Sequence, residues 1–360
     1  MPLSFHLESA GAPAPSHPGV RIYVDGTQHG IREDRDIELS HWNPSTTPEL
    51  YQADSSTEIA LNYLTLGTLP GDGLVINNHL DVDGILSAFV LLRPEVALRH
   101  RERLVAVAET GDFWAWADAG SLGLYQALVE ILEAGQAAGR DEMRIHHDCF
   151  QALPDLLARD LSNHVPASLL ATAKALDEGR IRRRAWHRRF AAYELPRAYH
   201  QDDMAGALKV NDFNASLDDG SLLHSTARNR ADGCRVQLVS VEAAEGWHHD
   251  LCYPGHMWAL TVDRWRAPGF WEGETSNTWY YRYAPLEEAL ARLQAREGGA
   301  GRWQSAEELT PFASVLGRAF PVVASFLGDD DLPAASTLAP EDVAGELLRA
   351  FTFDLTGRRG

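Results

Sequence analysis

Cysteine is scarce in this chain of 360 residues, and the few cysteines lack the spacing of a disulfide or zinc framework. Cys149, Cys234 and Cys252 are odd in number and contain no Cys-x-x-Cys pair. Disulfide-rich secreted domains and thiolate zinc sites both depend on grouped cysteines. The sequence therefore predicts reduced thiols and a cytoplasmic protein.

Long apolar runs and an excess of basic residues are also missing. No stretch approaches the roughly 20 residues of a membrane span, and no apolar secretory segment follows the first residues. Lys and Arg total 32 against 51 Asp and Glu, a net charge of −19. Because long nucleic acid is bound by neutralising many phosphates, this balance excludes it as a partner. We expect no membrane partner either.

Several familiar catalytic motifs are absent as well. The chain has no Gly-x-x-x-x-Gly-Lys-Ser/Thr phosphate loop, no Gly-x-Ser-x-Gly turn and no His-Glu-x-x-His helix. Its composition, with 45% hydrophobic and 23% charged residues, is that of an ordinary globular protein. A chain of this length predicts about two domains.

One segment does carry the residues of a metal site. The apolar run 74–76 predicts a buried strand, residues 85–92 predict a helix, and His79, Asp81 and Asp83 lie between them. Open α/β sheets build their sites at the carboxyl ends of strands. Oxygen ligands with one imidazole suit Mn²⁺ or Mg²⁺, so we expect one or two such ions. The alternative is an acidic turn that only caps the helix.

The spacing His79-x-Asp81-x-Asp83-Gly84 resembles the first motif of the DHH phosphoesterase superfamily. Ser87 occupies a position where that superfamily often carries Ser or Thr. The resemblance implies a two-metal site that hydrolyses phosphoesters or pyrophosphate, in which these three acidic and imidazole side chains are catalytic metal ligands. It also implies a parallel sheet flanked by helices and a small phosphorylated substrate.

A second element is expected at the same edge of the sheet. Residues 104–108 predict another buried strand, which a right-handed crossover would make parallel to 74–78. Asp112 would then emerge beside His79, as the aspartate that bridges the two metals in the superfamily's second motif. Glu109 is the alternative ligand, and an ordinary Gly-Asp turn is the alternative to both.

The chain also departs from the superfamily. The Asp-His-His tripeptide that gives the superfamily its name is absent, and residues 146–148 carry the reversed order His-His-Asp. We expect these residues on a helix, where adjacent side chains point about 100° apart and chelate poorly. The Gly-rich substrate-binding motif of the usual second domain is missing too.

The segment Asp54 to Leu61 resembles an uncharacterised bacterial family in which it precedes the same His-x-Asp-x-Asp-Gly element. Ser55 with Glu58 predicts a capping box that opens a helix over 57–64. Alternatively, the hydroxyls and N–H groups of this helix start bind a substrate phosphate beside the metal. The substrate-binding residues expected on that view are Ser55, Ser56, Thr57 and Ser87. His41 could approach from the same side, or could be a structural loop residue.

The predicted fold is α/β: a DHH-like amino-terminal domain with a parallel sheet flanked by helices, and a smaller α+β carboxyl-terminal domain. We expect a flexible segment over 1–19, the first domain over 20–200 and the second over 201–360. Residues 167–189 predict one helix that carries a cluster of arginines, which face solvent, a subunit contact or phosphate.

Three functions of different class remain open at this point. The first is a Mn²⁺- or Mg²⁺-dependent hydrolase of phosphoesters, acting on a small nucleotide or phosphometabolite. The second is a noncatalytic metal- or nucleotide-binding module with a DHH-like fold. The third is a structural protein whose acidic turn is only a helix cap.

Overall fold

A computed structural model of the chain describes residues 3–8, 15–26, 30–32, 34–42, 45–186, 190–199, 215–218, 223–233, 235–252, 259–262, 275–277, 280–281, 284–307, 315 and 322–351. The chain forms two compact units. Unit 1 comprises Met1–Pro166, Phe213–Leu217 and Trp258–Trp265, and unit 2 comprises Ala167–Asp212, Asp218–Met257 and Arg266–Gly360. The predicted boundary at residue 200 thus differs from this division, and the units are of similar length.

Unit 1 contains a four-stranded sheet in which all pairings are parallel. Its strands, in the spatial order β1-β4-β2-β3, are β1 (Ser4–Leu7), β2 (Val20–Val24), β3 (Ile37–Leu39) and β4 (Gly73–Asn77). Strand β4 is buried throughout, which explains its continuous apolar run. The prediction of a parallel sheet is confirmed, and its parallel register places all four carboxyl ends at one edge.

The described part of unit 1 contains six α-helices: α1 (Ser56–Leu66), α2 (Val82–Leu92), α3 (Pro94–Arg99), α4 (Arg101–Phe113), α5 (Ala119–Ala137) and α6 (Glu142–Leu157). Helix α2 packs against α1, α4, α5 and α6. It is buried on every side except at its last residue, which agrees with its largely apolar sequence after the first turn. Short 3-10 helices occur at Glu49–Tyr51, Ser162–His164 and, in unit 2, Arg197–Tyr199.

The prediction of a strand over residues 104–108 is wrong. These residues lie in the middle of α4, and Asp112 is in its last turn. Leu104, Val107, Ala108 and Gly111 are buried whereas Val105 is only half-buried, which is the spacing of a helix face. A short apolar run with β-branched residues cannot be assigned by periodicity alone, and here helix packing decided it.

Two other expectations are corrected. The segment 1–19 was expected to be flexible, but Ser4–Leu7 forms β1 and pairs with β4. Residues 9–14 lie outside the described residues. The single helix predicted over 167–189 is instead α7 (Ala167–Asp177) followed by strand β5 (Arg182–Trp186). The arginines of β5 stand on a sheet edge, where charged side chains discourage pairing with other chains.

Unit 2 is built on a mixed six-stranded sheet in the order β11-β12-β8-β7-β6-β5. Its further strands are β6 (Phe190–Leu195), β7 (Val236–Ala243), β8 (Gly246–Cys252), β11 (Arg302–Ser305) and β12 (Val322–Leu327). Only β6 and β7 pair in parallel among these described strands. Strands β9 (Thr275–Asn277) and β10 (Tyr280–Tyr281) form a separate pair.

The described residues of unit 2 form the helices α7, α8 (Ser225–Asp232), α9 (Ala284–Arg296) and α10 (Pro340–Ala350). Helices α9 and α10 pack together, and Leu286, Leu293 and Leu347 share a core with the sheet residues Phe190 and Phe326. In the described part of the chain, no helix has both the length and the apolar character needed to cross a membrane.

The amino-terminal edge of the unit 1 sheet is held by a buried ion network. Arg21 Nε donates to Asp36 Oδ2 at 2.9 Å, and Arg32 Nη2 donates to Asp36 Oδ1 at 2.6 Å. The Asp36 side chain is inaccessible to solvent. Burial raises the pKa of Asp36, but the hydrogen bonds from Arg32 and Arg21 outweigh it and hold the pKa below its usual range.

We predict that Asp36→Asn lowers the free energy of unfolding by roughly 3–5 kcal/mol, because it leaves the largely buried Arg21 without its charged partner. Asp36 has its depressed pKa only in the folded state. Its contribution is therefore present above about pH 4 and is lost as the pH falls further. Denaturant unfolding at pH 7 and pH 3 tests both statements. The exposed neighbour variant Asp34→Asn is the control, and an equal effect of the two variants would contradict the prediction.

Candidate metal centre

The loops that leave β2, β3 and β4 each deliver one site residue. Asp25 directly follows β2, His41 lies two residues beyond β3, and His79 lies two residues beyond β4. Because the three strands are parallel neighbours, these loops meet at the same edge of the sheet. Sheet topology therefore brings together three residues that are far apart in the sequence.

Helix termini supply three carboxylates to the same place. Asp81 is the N-cap of α2, and its Oδ1 accepts the Gly84 N–H at 2.6 Å. The Asp83 carboxylate instead lies at the start of α1, where its two oxygens accept the N–H groups of residues 56 and 57, each at 2.8 Å. The positive end of the α1 dipole favours this negative charge. Asp112 reaches the cluster from the last turn of α4.

His79 faces two carboxylates with one ring nitrogen. Its Nε2 lies 2.7 Å from Asp81 Oδ2 and 3.1 Å from Asp25 Oδ2. Its Nδ1 lies 2.7 Å from the side-chain oxygen of Asn78, which can only accept, so Nδ1 carries a hydrogen. Metal-binding imidazoles in proteins are usually oriented by a hydrogen bond of this kind, from the ring nitrogen that does not bind the metal. The His79 side chain is 30% exposed, the most open of the six groups.

His41 repeats this arrangement with a different set of carboxylates. Its Nδ1 donates to the Asp54 carbonyl oxygen at 2.6 Å. Its Nε2 lies 3.4 Å from Asp25 Oδ1, 3.5 Å from Asp83 Oδ2 and 3.4 Å from Asp112 Oδ2. All four side chains are buried. Three carboxylates thus surround one imidazole nitrogen at distances too long for strong hydrogen bonds.

Asp25 joins the two arrangements. Its Oδ2 faces His79 and its Oδ1 faces His41. Among the residues that the structure describes, Asp25, His79 and Asp81 form one group that could hold a cation, and Asp25, His41 and Asp83 form another. The ligand atoms of each group lie within 4.8 Å of one another. One carboxylate is therefore shared by two candidate cation sites.

The electrostatics of the cluster show an excess of negative charge. Burial raises the pKa of Asp81 to about 6 despite the nearby His79 imidazole. Burial also raises the pKa of Asp112 well above its usual range, and the nearby carboxylates add to this. For Asp25 the two imidazoles outweigh burial and keep the pKa low. The pKa of His79 is raised well above its usual range because Asp81 and Asp25 outweigh the effect of burial.

The donor set and its spacing fit divalent cations. Bonds of about 2.1 Å to a central ion separate neighbouring ligand atoms by about 3.0 Å in an octahedron and about 3.4 Å in a tetrahedron. The distances around His79 Nε2 and His41 Nε2 fall near this range, between 2.7 and 3.5 Å. Cations would also offset the buried carboxylates, whose desolvation is otherwise costly.

The start of α1 orients the cluster. Ser56 contacts three members of the cluster. Its Oγ donates to Asp25 Oδ1 at 2.9 Å and accepts the backbone N–H of His41 at 3.2 Å. The backbone N–H of Ser56 donates to the Asp83 carboxylate. The predicted cap is confirmed, since Ser55 Oγ accepts an N–H of the first turn. Thr57 Oγ1 donates to the Asp83 carbonyl oxygen at 3.3 Å.

These contacts occupy hydrogen-bonding groups that were expected to bind a substrate phosphate. Ser55, Ser56 and Thr57 are fully buried. Ser87 is buried within α2 and donates to the Gly84 carbonyl oxygen at 3.0 Å. In this arrangement the four residues support the carboxylates and α2, and their contact with substrate stays a prediction.

Two glycines permit the close approach of the loops. A Cβ at Gly84 would lie 2.3 Å from Asn77 Nδ2, and a Cβ at Gly26 would lie 2.2 Å from Asn78 Oδ1. Gly26 also has φ +67°, a region that favours glycine. Its absent side chain leaves room for Asn78, the residue that orients His79.

Backbone strain occurs beside the cluster. Asp25 has φ 51° and Trp114, which ends α4 two residues after Asp112, has φ 49°. Asp tolerates the left-handed region, but a bulky side chain there is unusual. Strained backbone conformations of this kind persist where the surrounding structure holds them in place, and they often occur at functional sites.

The sequence predictions found four of the six cluster residues. The structure places Asp81 beside His79, and Asp83 and Asp112 around His41. The prediction put Asp112 beside His79 at the end of a strand, whereas it lies on α4 with its Oδ2 3.4 Å from His41 Nε2. Asp25 was missed, and His41 was left between two roles. The signal that could have identified Asp25 is the one that identified His79, a polar residue at the end of a predicted strand. Asp25 ends the run 21–25 and is followed by a glycine.

Residues 146–148 lie on α6, as predicted. His146 is buried, and its Nε2 lies 3.4 Å from Asn77 Nδ2, which in turn donates to the His79 carbonyl oxygen at 2.9 Å. Burial lowers the pKa of His146 to about 4. His146 therefore supports the His79 loop as a neutral imidazole and is not among the candidate ligands.

Comparison with known families assigns the chain to a family but gives no activity for it. The chain belongs to a family of unknown function (DUF6687), whose profile matches residues 12–357. No curated protein and no solved structure matches it. The match extends over both units, and the resemblance of residues 79–84 to the DHH phosphoesterase superfamily stays a hypothesis beside it.

We predict that Asp112→Asn does not destabilise the chelator-treated protein and raises its free energy of unfolding by up to about 2 kcal/mol. The substitution removes an acidic group from a buried site crowded by other carboxylates, and such replacements are often stabilising. Urea unfolding in the presence of chelator provides the measurement, with the exposed Asp155→Asn as control. A loss above about 1 kcal/mol for Asp112→Asn alone would contradict a site built for cations.

Proposed function

We propose that this protein is a phosphoesterase dependent on two divalent cations, Mn²⁺ or Mg²⁺, and that it acts on a small phosphorylated substrate. The observation that carries the proposal is the shared Asp25 carboxylate, whose two oxygens face His79 and His41 separately. A carboxylate whose two oxygens face two separate groups of side chains would contribute to both ions of a two-metal phosphoryl-transfer site.

The six side chains divide naturally between two ions. His79 Nε2, Asp81 Oδ2 and one oxygen of Asp25 would hold the first. His41 Nε2, the second oxygen of Asp25 and the carboxylates of Asp83 and Asp112 would hold the second. Carboxylates outnumber imidazoles and the groups contain no thiolate, a set that favours Mn²⁺ or Mg²⁺ over a structural zinc site.

Two bound divalent cations would activate a water molecule and neutralise the phosphoryl oxygens during in-line displacement. The chain's own residues hold this chemistry in place. The Asp54 carbonyl and Asn78 fix the imidazole orientations through their Nδ1 hydrogens, and Ser56 fixes Asp25. His79 is the most open ligand, so we propose that the substrate phosphate approaches on its side.

The charge of the chain supports a small substrate. A net charge of −19 repels a long polyanion, whereas bound cations attract a single phosphate group locally. A buried cluster of carboxylates and imidazoles that could hold cations supports the same class of substrate. The substrate class that we propose is a phosphoester of a nucleotide or of another small metabolite.

A noncatalytic metal- or nucleotide-binding module is the second candidate, and one observation favours it. Both oxygens of Asp83 already accept backbone N–H groups at 2.8 Å. This weakens Asp83 as a ligand and could leave only the His79 group strongly bound. A protein with one ion would bind a phosphorylated ligand and turn it over slowly or not at all.

Metal content gives the first test. Protein purified without chelator should contain up to two Mn²⁺ or Mg²⁺ ions per chain, measured by elemental analysis after dialysis against each metal. His79→Ala and His41→Ala should each remove about one ion, and Asp25→Asn should reduce both because it serves both groups. His164→Ala, an exposed histidine paired with Glu130, is the matched control. Equal metal in wild type and Asp25→Asn would refute the shared-ligand arrangement.

Turnover gives the second test. In Mn²⁺ the protein should hydrolyse a generic phosphodiester such as bis-p-nitrophenyl phosphate, or a dinucleotide, nucleotide or pyrophosphate from the same screen. Asp81→Asn and Asp83→Asn should lower the rate by orders of magnitude, because they keep side-chain shape but remove charge that the cations need. Circular dichroism checks that the variants fold, and Asp155→Asn is the control. Bound metal without turnover of any substrate would favour the binding module.

A further inference from the structure

A segment from late in the chain, residues 259–262, pairs with the loop that carries His41. The first residue of the segment forms an antiparallel bridge with Trp42, and the Leu260 N–H donates to the His41 carbonyl oxygen at 2.6 Å. Trp258–Trp265 belongs to unit 1, although the chain before and after it belongs to unit 2. The backbone of one candidate metal ligand is therefore held by residues that are very distant from it in the sequence.

Asp54 connects this segment to the imidazole of His41. The Val262 N–H donates to Asp54 Oδ1 at 2.6 Å, across 208 positions of sequence. The carbonyl oxygen of the same aspartate accepts the hydrogen on His41 Nδ1 at 2.6 Å. Asp54 is buried, where hydrogen bonds are stronger than at the surface. One residue thus holds the segment with its side chain and the imidazole with its backbone.

The two imidazoles of the cluster depend on contacts of different range. The His79 carbonyl oxygen accepts Asn77 Nδ2 at 2.9 Å, and His79 Nδ1 donates to the side chain of the adjacent Asn78. In His41 the corresponding carbonyl oxygen accepts the N–H of Leu260 instead. The His79 contacts are encoded within a few residues, whereas the His41 contacts require the distant segment.

We propose that Asp54 is a positioning residue for His41, and that it couples binding of the second cation to the docking of residues 259–262. This inference rests on the proposed two-cation site. His41 Nε2 lies 3.4 to 3.5 Å from three carboxylate oxygens, and a rotation of the ring or a shift of its backbone moves this nitrogen away from them. The cation held by His79 does not depend on the segment.

The first test measures Mn²⁺ binding to the full chain by titration calorimetry, after chelator has been removed. Val262→Pro deletes the N–H that donates to Asp54 and leaves all six cluster residues unchanged. It should weaken one of two Mn²⁺ sites by at least about tenfold, as loss of support behind a ligand does, and leave the other unchanged. Val262→Ala keeps the N–H, and since its side chain is 44% exposed it should bind as wild type does.

A second variant removes the other half of the same hydrogen bond. Asp54→Ala deletes the acceptor and should weaken the same Mn²⁺ site. Adding Val262→Pro to it should weaken that site little further, because two changes that break one contact are not additive. Circular dichroism checks the folding of each variant, and Asp54→Ala carries the test if Val262→Pro does not fold.

Hydrogen exchange supplies a readout that a merely structural role would not move. The N–H groups of Leu260 and Val262 both donate in the docked segment, so their exchange reports docking. Because coupling is reciprocal, Mn²⁺ should slow their exchange in wild type by about the factor by which Val262→Pro weakens the ion. His79→Ala should keep this slowing, and His41→Ala should lose it.

The possible outcomes separate this inference from the proposed function. Two Mn²⁺ ions bound with wild-type affinity by Val262→Pro and Asp54→Ala would overturn the coupling alone, as would two bound ions that leave the exchange of Leu260 and Val262 unchanged. Equal weakening of both sites would also overturn it, because Asp54 would then serve the fold in general. Wild type that binds fewer than two ions would overturn the two-cation site and the coupling together. Coupling without turnover of any substrate would count against the hydrolase activity only.

Discussion

The crowding of four carboxylates around two imidazoles is the constraint on which unit 1 depends. The parallel register of β2, β3 and β4 brings Asp25, His41 and His79 to one sheet edge, and helix termini add the remaining carboxylates. Each group is costly to bury alone, and the imidazoles compensate the charge only in part, as the raised pKa of Asp112 shows. The buried groups that share this negative charge could hold a cation.

The rest of unit 1 is arranged to keep those groups in fixed positions. Helix α1 begins against the cluster, and Ser56 alone ties together Asp25, His41 and Asp83. Gly26 and Gly84 let neighbouring loops approach where a Cβ would collide with Asn78 or Asn77. Precise sites need such support behind the ligands, because a displacement of about 1 Å is enough to weaken metal or substrate chemistry.

Local patterns in the sequence predict much of this arrangement, and the rest depends on long-range contacts. The strand at 74–76, the helix behind it and the cap at Ser55 are short-range features, so spacing and residue type were sufficient for them. Asp25 and His41 join the site only through strand order, which a single sequence does not encode locally. The run 104–108 has the composition of a strand, yet packing against α2 and α5 makes it helical. Asp112 therefore joins the cluster from the last turn of that helix, next to His41 and not next to His79 as predicted.

The chain lacks the Asp-His-His tripeptide, but this absence is a weak argument against a second cation. The adjacent histidines of α6 do not supply an imidazole to the cluster: His146 lies behind the His79 loop, in contact with Asn77. His41 presents its Nε2 to Asp25, Asp83 and Asp112 instead, from a loop after β3. Coordination requires only that donors converge with the right chemistry, whatever their order in the chain. The second half of the candidate site is thus built from His41 and the carboxylates around it, which lie outside the motif that suggested the resemblance.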